Sequence, residues 1–242
     1  DMNEQVMYWL AAASNRPEIS RPMMEYVEQN KGQGGNWMLH NFIKQARFEA
    51  NTTALRDVAW PILVSNVIGS AGTSEQSHGQ LQQLSPSDGK WHILSCSSPE
   101  YRCYAPFESR SCQTKQDCNY ALSQLRWGLH TALNLMTEFN LESDLASKGV
   151  DVAWWRQLVS EREGSLAWYP FDDETGFRLD ANCAFECPHR HFSHLLQLYD
   201  LETVEHSVSS ASAVPNVTID TILERSLDNW FRVTCNASNW FN

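Results

Sequence analysis

The sequence predicts an all-α protein, because apolar residues recur at helical spacing while strand signals are few. The clearest apolar stripe lies on one face of a helix and consists of Leu122, Leu125, Leu129, Leu133 and Met136. Long polar segments, notably 69–90 and 100–116, separate the periodic stretches. Since long loops in a compact domain are commonly functional, this alternation favours a toroid of helical hairpins with its site built from loops at one end.

Shorter periodic stretches predict the remaining elements. Residues 2–14 and 21–29 are expected to form two helices separated near Pro17, and residues 53–68 form a helix that Pro61 should kink. Helices are also predicted at 152–159 with Asp151 as the N-cap, at 191–199 and at 219–230. Residues 91–94 are a short strand candidate.

Length and charge limit the classes of protein to consider. A chain of 242 residues that is 42% hydrophobic can bury a core, and we expect one domain over residues 1–242. The 18 basic and 29 acidic residues give a net charge of −11, which argues against nucleic acid as a partner. No run of about 18 apolar residues occurs, so no membrane span is predicted.

Because the chain begins at Asp1 and ends just after an aromatic pair, we expect a fragment of a longer chain.

Cysteines and glycosylation sequons favour an oxidising, secretory environment. There are 7 cysteines, 4 of which lie between residues 96 and 118, and none has the C-x2-C spacing of a zinc ribbon. Asn51, Asn216 and Asn236 each begin an Asn-x-Ser/Thr sequon. We therefore expect disulfides and secretion, and the alternative is a reduced cytosolic protein with buried thiols. The odd number of cysteines makes Cys235 the candidate for a partner outside the chain.

Several polar stretches have both a structural and a chemical interpretation. Glu100 follows Pro99 in a loop, where partial burial would raise the pKa of its carboxyl as a general acid requires, although Pro-Glu also opens helices. The polar residues Asp1 and Asn3 come just before an aromatic stretch and are candidate site residues. The alternative is that they cap the start of a helix. Residues 117–120, beginning at Asp117, have the composition of a helix cap.

A basic cluster lies at the start of the predicted helix at 191–199. His189, Arg190, His191 and His194 fall within six residues and form a donor array suited to hydroxyl-rich or anionic ligands. A zinc site on the three histidines is the alternative, but the usual i, i+4 pair with an intervening acid is missing. We therefore predict no metal and no cofactor.

Tryptophan is abundant, with 10 residues in the chain. Trp9, Trp37, Trp91 and Trp127 lie near polar residues in the sequence. Because aromatic faces stack on sugar rings, these residues favour a carbohydrate ligand, and core packing is the other interpretation.

Taken in order, three stretches resemble the catalytic domain of glycoside hydrolase family 95, the α-L-fucosidases and α-L-galactosidases. Residues 1–9 are similar to its Asn-x-Asn-x-x-x-Asn-Tyr-Trp-Pro segment, and residues 94–100 to its Ser-Pro-Glu loop. Residues 189–195 are similar to its His-Arg-His-x-Ser-His-Leu helix start, which is the most specific of the three. The match runs from residue 1 to about residue 200.

The resemblance implies an (α/α)6 barrel, here incomplete or shortened, and inverting exo-cleavage of a terminal α-L-fucosyl or α-L-galactosyl residue from an oligo- or polysaccharide. Glu100 is the implied general acid, and Asp1 and Asn3 hold the attacking water. The residues expected to line the sugar pocket are Arg190, His191, His189, Trp9 and Trp37.

Departures from the family pattern affect the catalytic base. Asp1 and Met7 stand where the family has Asn, Leu10 stands where it has Pro, and Asn236 aligns with a later carboxylate. An amide positions water but cannot accept its proton, so we expect Asp1 to be the base, about 6.5–9.5 Å from Glu100. The alternative is a catalytically inactive carbohydrate-binding relative of the same fold.

Overall fold

The computed structural model of the chain contains mostly helical elements in two compact units, which confirms the prediction of a mostly helical chain. Unit 1 comprises Asp1–Gln80 and Gln124–Val159, and unit 2 comprises Leu81–Ser123 and Ser160–Asn242. The residues that the structure describes are 8, 11, 14, 16–30, 35–83, 88–96, 116–160, 164–186, 192–198, 201–203 and 218–235.

Unit 1 is built on helices. Its elements are α1 (Pro17–Asn30), α2 (Gly35–Phe48), a π-helix (Ala54–Ala59), α3 (Trp60–Ala71), most of α4 (Asn119–Phe139), α5 (Glu142–Ser147) and α6 (Val152–Val159). Helix α2 packs against α1, the π-helix and α3. The predicted stripe of α4 is confirmed, because Leu125, Leu129 and Met136 are buried and Leu133 is half-buried. None of the described helices is long and apolar enough to cross a membrane.

Prolines determine how two of these helices begin. Helix α1 starts at Pro17, where a missing N–H costs no hydrogen bond because the first turn has no acceptor for it. Pro61 likewise falls in the first turn of α3, and the six residues before that helix are wound as a π-helix. The backbone N–H of Trp60 donates to the carbonyl of Leu55, five residues back. At the predicted kink site, the helix therefore changes from π-helical to α-helical winding just before Pro61.

Two indoles satisfy the carbonyl groups at the end of α3. The Nε1–H of Trp154 donates to the carbonyl of Ala71 at 3.0 Å, and that of Trp155 donates to the carbonyl of Gly72 at 2.9 Å. The Oδ1 of Asp151 accepts the N–H of Ala153 at 2.9 Å, which confirms the predicted N-cap of α6. Adjacent tryptophans at the start of α6 thus cover helix-end carbonyls that otherwise lack partners.

Replacing Ala50 by glycine is expected to stabilise unit 1 by about 0.5–1 kcal/mol. Ala50 lies two residues after the end of α2 with φ 52°, and the N–H of Asn51 donates to the carbonyl of Ala46 at 2.8 Å in a helix-ending turn. A β-carbon disfavours this left-handed conformation, whereas glycine adopts it freely. Urea unfolding should show a higher midpoint for Ala50→Gly and a lower one for the control Ala146→Gly, which lies inside α5. A midpoint for Ala50→Gly at or below that of the unmodified protein would contradict the prediction.

Unit 2 combines short strands with one long helix. Its elements are β1 (Leu81–Gln82), β2 (His92–Ile93), β3 (Phe171–Asp172), β4 (Gly176–Phe177), a 3₁₀ turn (Ser193–Leu195) and α7 (Ile219–Cys235), and the first residues of α4 belong to it as well. Strand β1 pairs antiparallel with β2, and β3 with β4. The predicted strand near residues 91–94 and the helix near 219–230 are both confirmed.

Strand β4 lies directly against α7. The Oγ of Ser226 accepts the N–H of Phe177 at 2.8 Å and donates to the carbonyl of Ile222 at 2.6 Å. A β-carbon on Gly176 would lie 2.2 Å from the Ser226 Oγ, and Gly176 has φ 77°. Only glycine therefore permits this close approach of strand and helix.

The helix predicted at 191–199 is wrong in the part that the structure describes. Residues 192–198 contain only the 3₁₀ turn, and the five consecutive residues 193–197 are all buried. An amphipathic helix alternates buried and exposed faces, whereas this segment is surrounded. The Gln197 side chain accepts a hydrogen bond from Ser123 at 3.3 Å and donates to the carbonyl of His194 at 2.7 Å.

Candidate functional site

Most residues that the sequence assigns to the site lie outside the described residues: Asp1, Asn3, Trp9, Glu100, His189, Arg190 and His191. Trp37 is described, and its side chain is 1% exposed in α2. Trp91 and Trp127 are each 7% exposed. All three rings lie in the core, so their burial favours the packing interpretation over a sugar-stacking surface.

Asp117 joins the residues before α4 to strand β2. Its Oδ1 accepts the backbone N–H of Ile93 at 2.9 Å, and its own N–H donates to the carbonyl of Ile93 at 2.8 Å. The side chain is buried, and φ is 52°, a conformation that aspartate tolerates better than most residues. Helix α4 begins at Asn119, within the segment 117–120 that is predicted to cap a helix, while the carboxylate of Asp117 itself bonds to His92 and Ile93 of β2.

The second oxygen of Asp117 orients a histidine. The Oδ2 lies 2.6 Å from Nδ1 of His92, and because a carboxylate only accepts, the proton of this bond belongs to Nδ1. On the other side of the ring, Nε2 is 3.4 Å from Oδ2 of Asp88. The side chain of His92 is 14% exposed, whereas that of Asp88 is 41% exposed. His92 is therefore held through Nδ1, and its Nε2 faces the more exposed Asp88.

A second buried carboxyl lies in the same part of unit 2. Burial raises the pKa of Asp180, and the charge of Asp117 adds to this shift, while backbone hydrogen bonds from Asn182 and Cys183 and the charge of Arg178 oppose it. A backbone hydrogen bond of 2.8 Å from Ala181 to Gln116 links the two segments. We call His92, Asp117 and Asp180 the Asp117 cluster.

A disulfide lies beside the Asp117 cluster. Cys96 and Cys118 are bonded, with their α-carbons 5.9 Å apart, which confirms the prediction of disulfide bonding. Cys183 is disulfide-bonded as well. The Cys96–Cys118 bond joins the two ends of the chain segment that contains Glu100, so the ends of this segment are covalently tied to the Asp117 cluster.

The Asp117 cluster combines a buried carboxyl with a histidine that a second carboxylate orients. Burial raises the pKa of Asp180, and such perturbed carboxyls are found preferentially at functional sites. The sequence did not assign these residues to the site, because His92 lies in a short predicted strand and Asp117 lies in a segment predicted to cap a helix. The contact joins residues 25 positions apart, and no local pattern indicates it.

No protein-family model matches the chain, and no curated protein matches it. The likeness to glycoside hydrolase family 95 therefore remains a hypothesis based on three short motifs.

His194 is the one member of the predicted basic cluster that the structure describes. It is 1% exposed, and its ring stacks on Phe185 with centroids 4.3 Å apart and an interplanar angle of 15°. Neither ring nitrogen has a hydrogen-bond partner within the described residues. Burial lowers the pKa of His194 to about 3, so the ring is neutral near pH 7.

The described residues contain no group of three or more His, Cys, Asp or Glu that is arranged to hold a metal ion. His189 and His191, which the zinc alternative requires together with His194, are not among these residues.

Proposed function

We propose that this chain is an inverting exo-glycosidase that removes a terminal α-L-fucosyl or α-L-galactosyl residue from an oligo- or polysaccharide. The order of the three motifs supports the proposal, and the helical content is compatible with the implied (α/α) toroid. Disulfide bonding suits the secreted, extracellular location that we propose. The proposed partner is a carbohydrate.

The observation that carries the proposal is the covalent closure beside the Ser-Pro-Glu loop. Glu100 follows Cys96 by four residues, and Cys96 is bonded to Cys118, next to the buried Asp117. A general acid needs a fixed position relative to the bond that it protonates. A disulfide and a buried carboxylate fix the two described ends of the segment in which the proposed acid lies.

In the proposed mechanism Glu100 donates a proton to the glycosidic oxygen as the bond to the sugar breaks. Asn3 positions a water on the opposite face of the sugar, and Asp1 accepts the proton of that water as it attacks the anomeric carbon. Arg190, His191 and His189 donate hydrogen bonds to sugar hydroxyls, and Trp9 stacks on the ring. Direct attack by water inverts the anomeric configuration.

Glu100→Gln is expected to lower kcat for an aryl α-L-fucoside or α-L-galactoside about 10³-fold, because the amide cannot donate the proton. The matched control is Glu224→Gln, on an exposed position of α7, which should leave kcat unchanged. Proton NMR of the first product should show the inverted anomer. Full activity of Glu100→Gln would contradict the assignment of the acid. Sugar binding without turnover by the unmodified protein would instead identify the inactive carbohydrate-binding relative.

A further inference from the structure

We propose that Asn51 carries an N-linked glycan in the folded protein. Asn51, Thr52 and Thr53 form a sequon, and all three residues are exposed at the junction between α2 and the π-helix. This inference concerns unit 1 and does not depend on the proposed hydrolase activity.

The side chain of Asn51 is held so that only its oxygen is used. The Oδ1 accepts the backbone N–H of Ala54 at 3.0 Å and thereby caps the helical segment that follows. The backbone of Asn51 is fixed as well, because its N–H donates to the carbonyl of Ala46 and its carbonyl accepts the N–H of Leu55 at 3.2 Å. Among the described residues, no hydrogen bond involves Nδ2 of Asn51.

Glycosylation attaches the sugar at Nδ2. Because the hydrogen bond to Ala54 uses Oδ1 and not Nδ2, the observed geometry is compatible with this attachment. A lipid diphosphate-linked oligosaccharide supplies the sugar in the secretory lumen. The bond between Nδ2 and the sugar C1 forms, the bond between C1 and the diphosphate oxygen breaks, one proton leaves Nδ2, and the lipid diphosphate is released. The product is still an amide with its oxygen free to accept, so the hydrogen bond to Ala54 survives the modification.

The disulfide supplies an independent indication of compartment. Cys96–Cys118 requires an oxidising environment, and the secretory lumen that forms disulfides is also where N-glycosylation takes place. A chain that acquires this bond in the secretory lumen passes the enzyme that reads the sequon at Asn51.

Thr53 allows the sequon to be removed without changing the fold. Its side chain forms no capping hydrogen bond to the π-helix. Thr218, the hydroxyl residue of the sequon at Asn216, differs because its Oγ1 accepts the N–H of Thr221 at 3.2 Å at the start of α7. Alanine at Thr53 thus tests glycosylation alone, whereas alanine at Thr218 also removes a cap.

The experiment expresses the full chain in a eukaryotic secretory host and follows the tryptic peptide of residues 48–56. Secreted and microsomal protein are both treated with an N-glycosidase in ¹⁸O-labelled water, which converts a glycosylated asparagine to labelled aspartate. We expect more than half of this peptide to carry the label at Asn51. Thr53→Ser should keep the label, and Thr53→Ala should lose it. After enzymatic deglycosylation, the Thr53→Ala protein should unfold at the same temperature as the unmodified protein.

Asn51→Asp provides the matched structural control, because it keeps an oxygen to cap Ala54 but has no amide to glycosylate. Its peptide should carry no glycan, and its protein should keep the mobility of the Thr53→Ala protein on a denaturing gel. An unlabelled Asn51 peptide from protein whose Cys96–Cys118 bond is formed would overturn the proposal.

Discussion

Replacing Asp117 by alanine is expected to lower the free energy of unfolding by about 3–5 kcal/mol. The change leaves the buried N–H of Ile93 and the Nδ1–H of His92 without their acceptor. It also places a β-carbon without a compensating polar side chain at φ 52°, which adds about 1 kcal/mol. Urea unfolding followed by tryptophan fluorescence measures the total loss, and hydrogen exchange of peptides containing Ile93 measures the local one.

Asp117→Asn separates the bond to Ile93 from the bond to His92. Its amide oxygen still accepts from Ile93, and asparagine tolerates the positive φ, but His92 now faces an uncharged group. We expect a loss of about 1 kcal/mol for this variant. Asp228→Ala, at an exposed position of α7, is the control and should change stability by less than about 0.5 kcal/mol. Unchanged exchange at Ile93 in Asp117→Ala would show that the carboxylate does not anchor strand β2.

Acidification from pH 7.5 to pH 5 is expected to remove about 2 kcal/mol of stability through His194 alone. The ring has a pKa of about 3 in the folded chain, against an ordinary value of 6.5. Between these values the unfolded chain binds a proton that the folded chain does not, so stability is present above pH 6.5 and falls as the pH drops below it. Burial is the cause of the shift, and Phe185, on which the ring stacks, is uncharged.

His194→Phe isolates this contribution because it keeps an aromatic ring on Phe185 but cannot titrate. Its stability should depend less steeply on pH between 6.5 and 5, whereas a variant of the exposed His130, such as His130→Asn, should keep the loss. Asp180 acts in the opposite direction: its raised pKa favours the folded state at low pH and loses that contribution as the pH rises. Comparing His194→Phe with the unmodified protein cancels the Asp180 contribution. Equal pH slopes for the two proteins would refute the buried neutral histidine.

Local sequence patterns predicted the helices whose apolar residues lie on one face. The stripe of α4 and the Asp151 cap of α6 are observed as expected, because helix periodicity and capping depend on residues within a few positions of one another. Disulfide bonding followed from composition, but the pairing of Cys96 with Cys118 did not, because spacing alone leaves several pairings open.

The errors occur where residues distant in sequence decide the outcome. The segment after residue 191 has helical spacing, yet its residues 193–197 are buried on every side and form only a turn. Trp37, assigned to the sugar pocket from the sequence, is buried in α2, and this burial favours its packing interpretation. In both cases neighbouring elements cover side chains that the sequence alone leaves exposed.

By itself the sequence determined the helical character of the chain, its acidic charge, the sequon at Asn51 and the order of three motifs that favour a glycosidase. These properties depend on composition and on neighbours along the chain. Only the tertiary structure decided that Asp117 holds His92 and strand β2, that Asp180 is buried nearby and that His194 is a neutral core residue. The reason is physical: hydrogen-bond partners and burial are set by contacts between residues far apart in sequence.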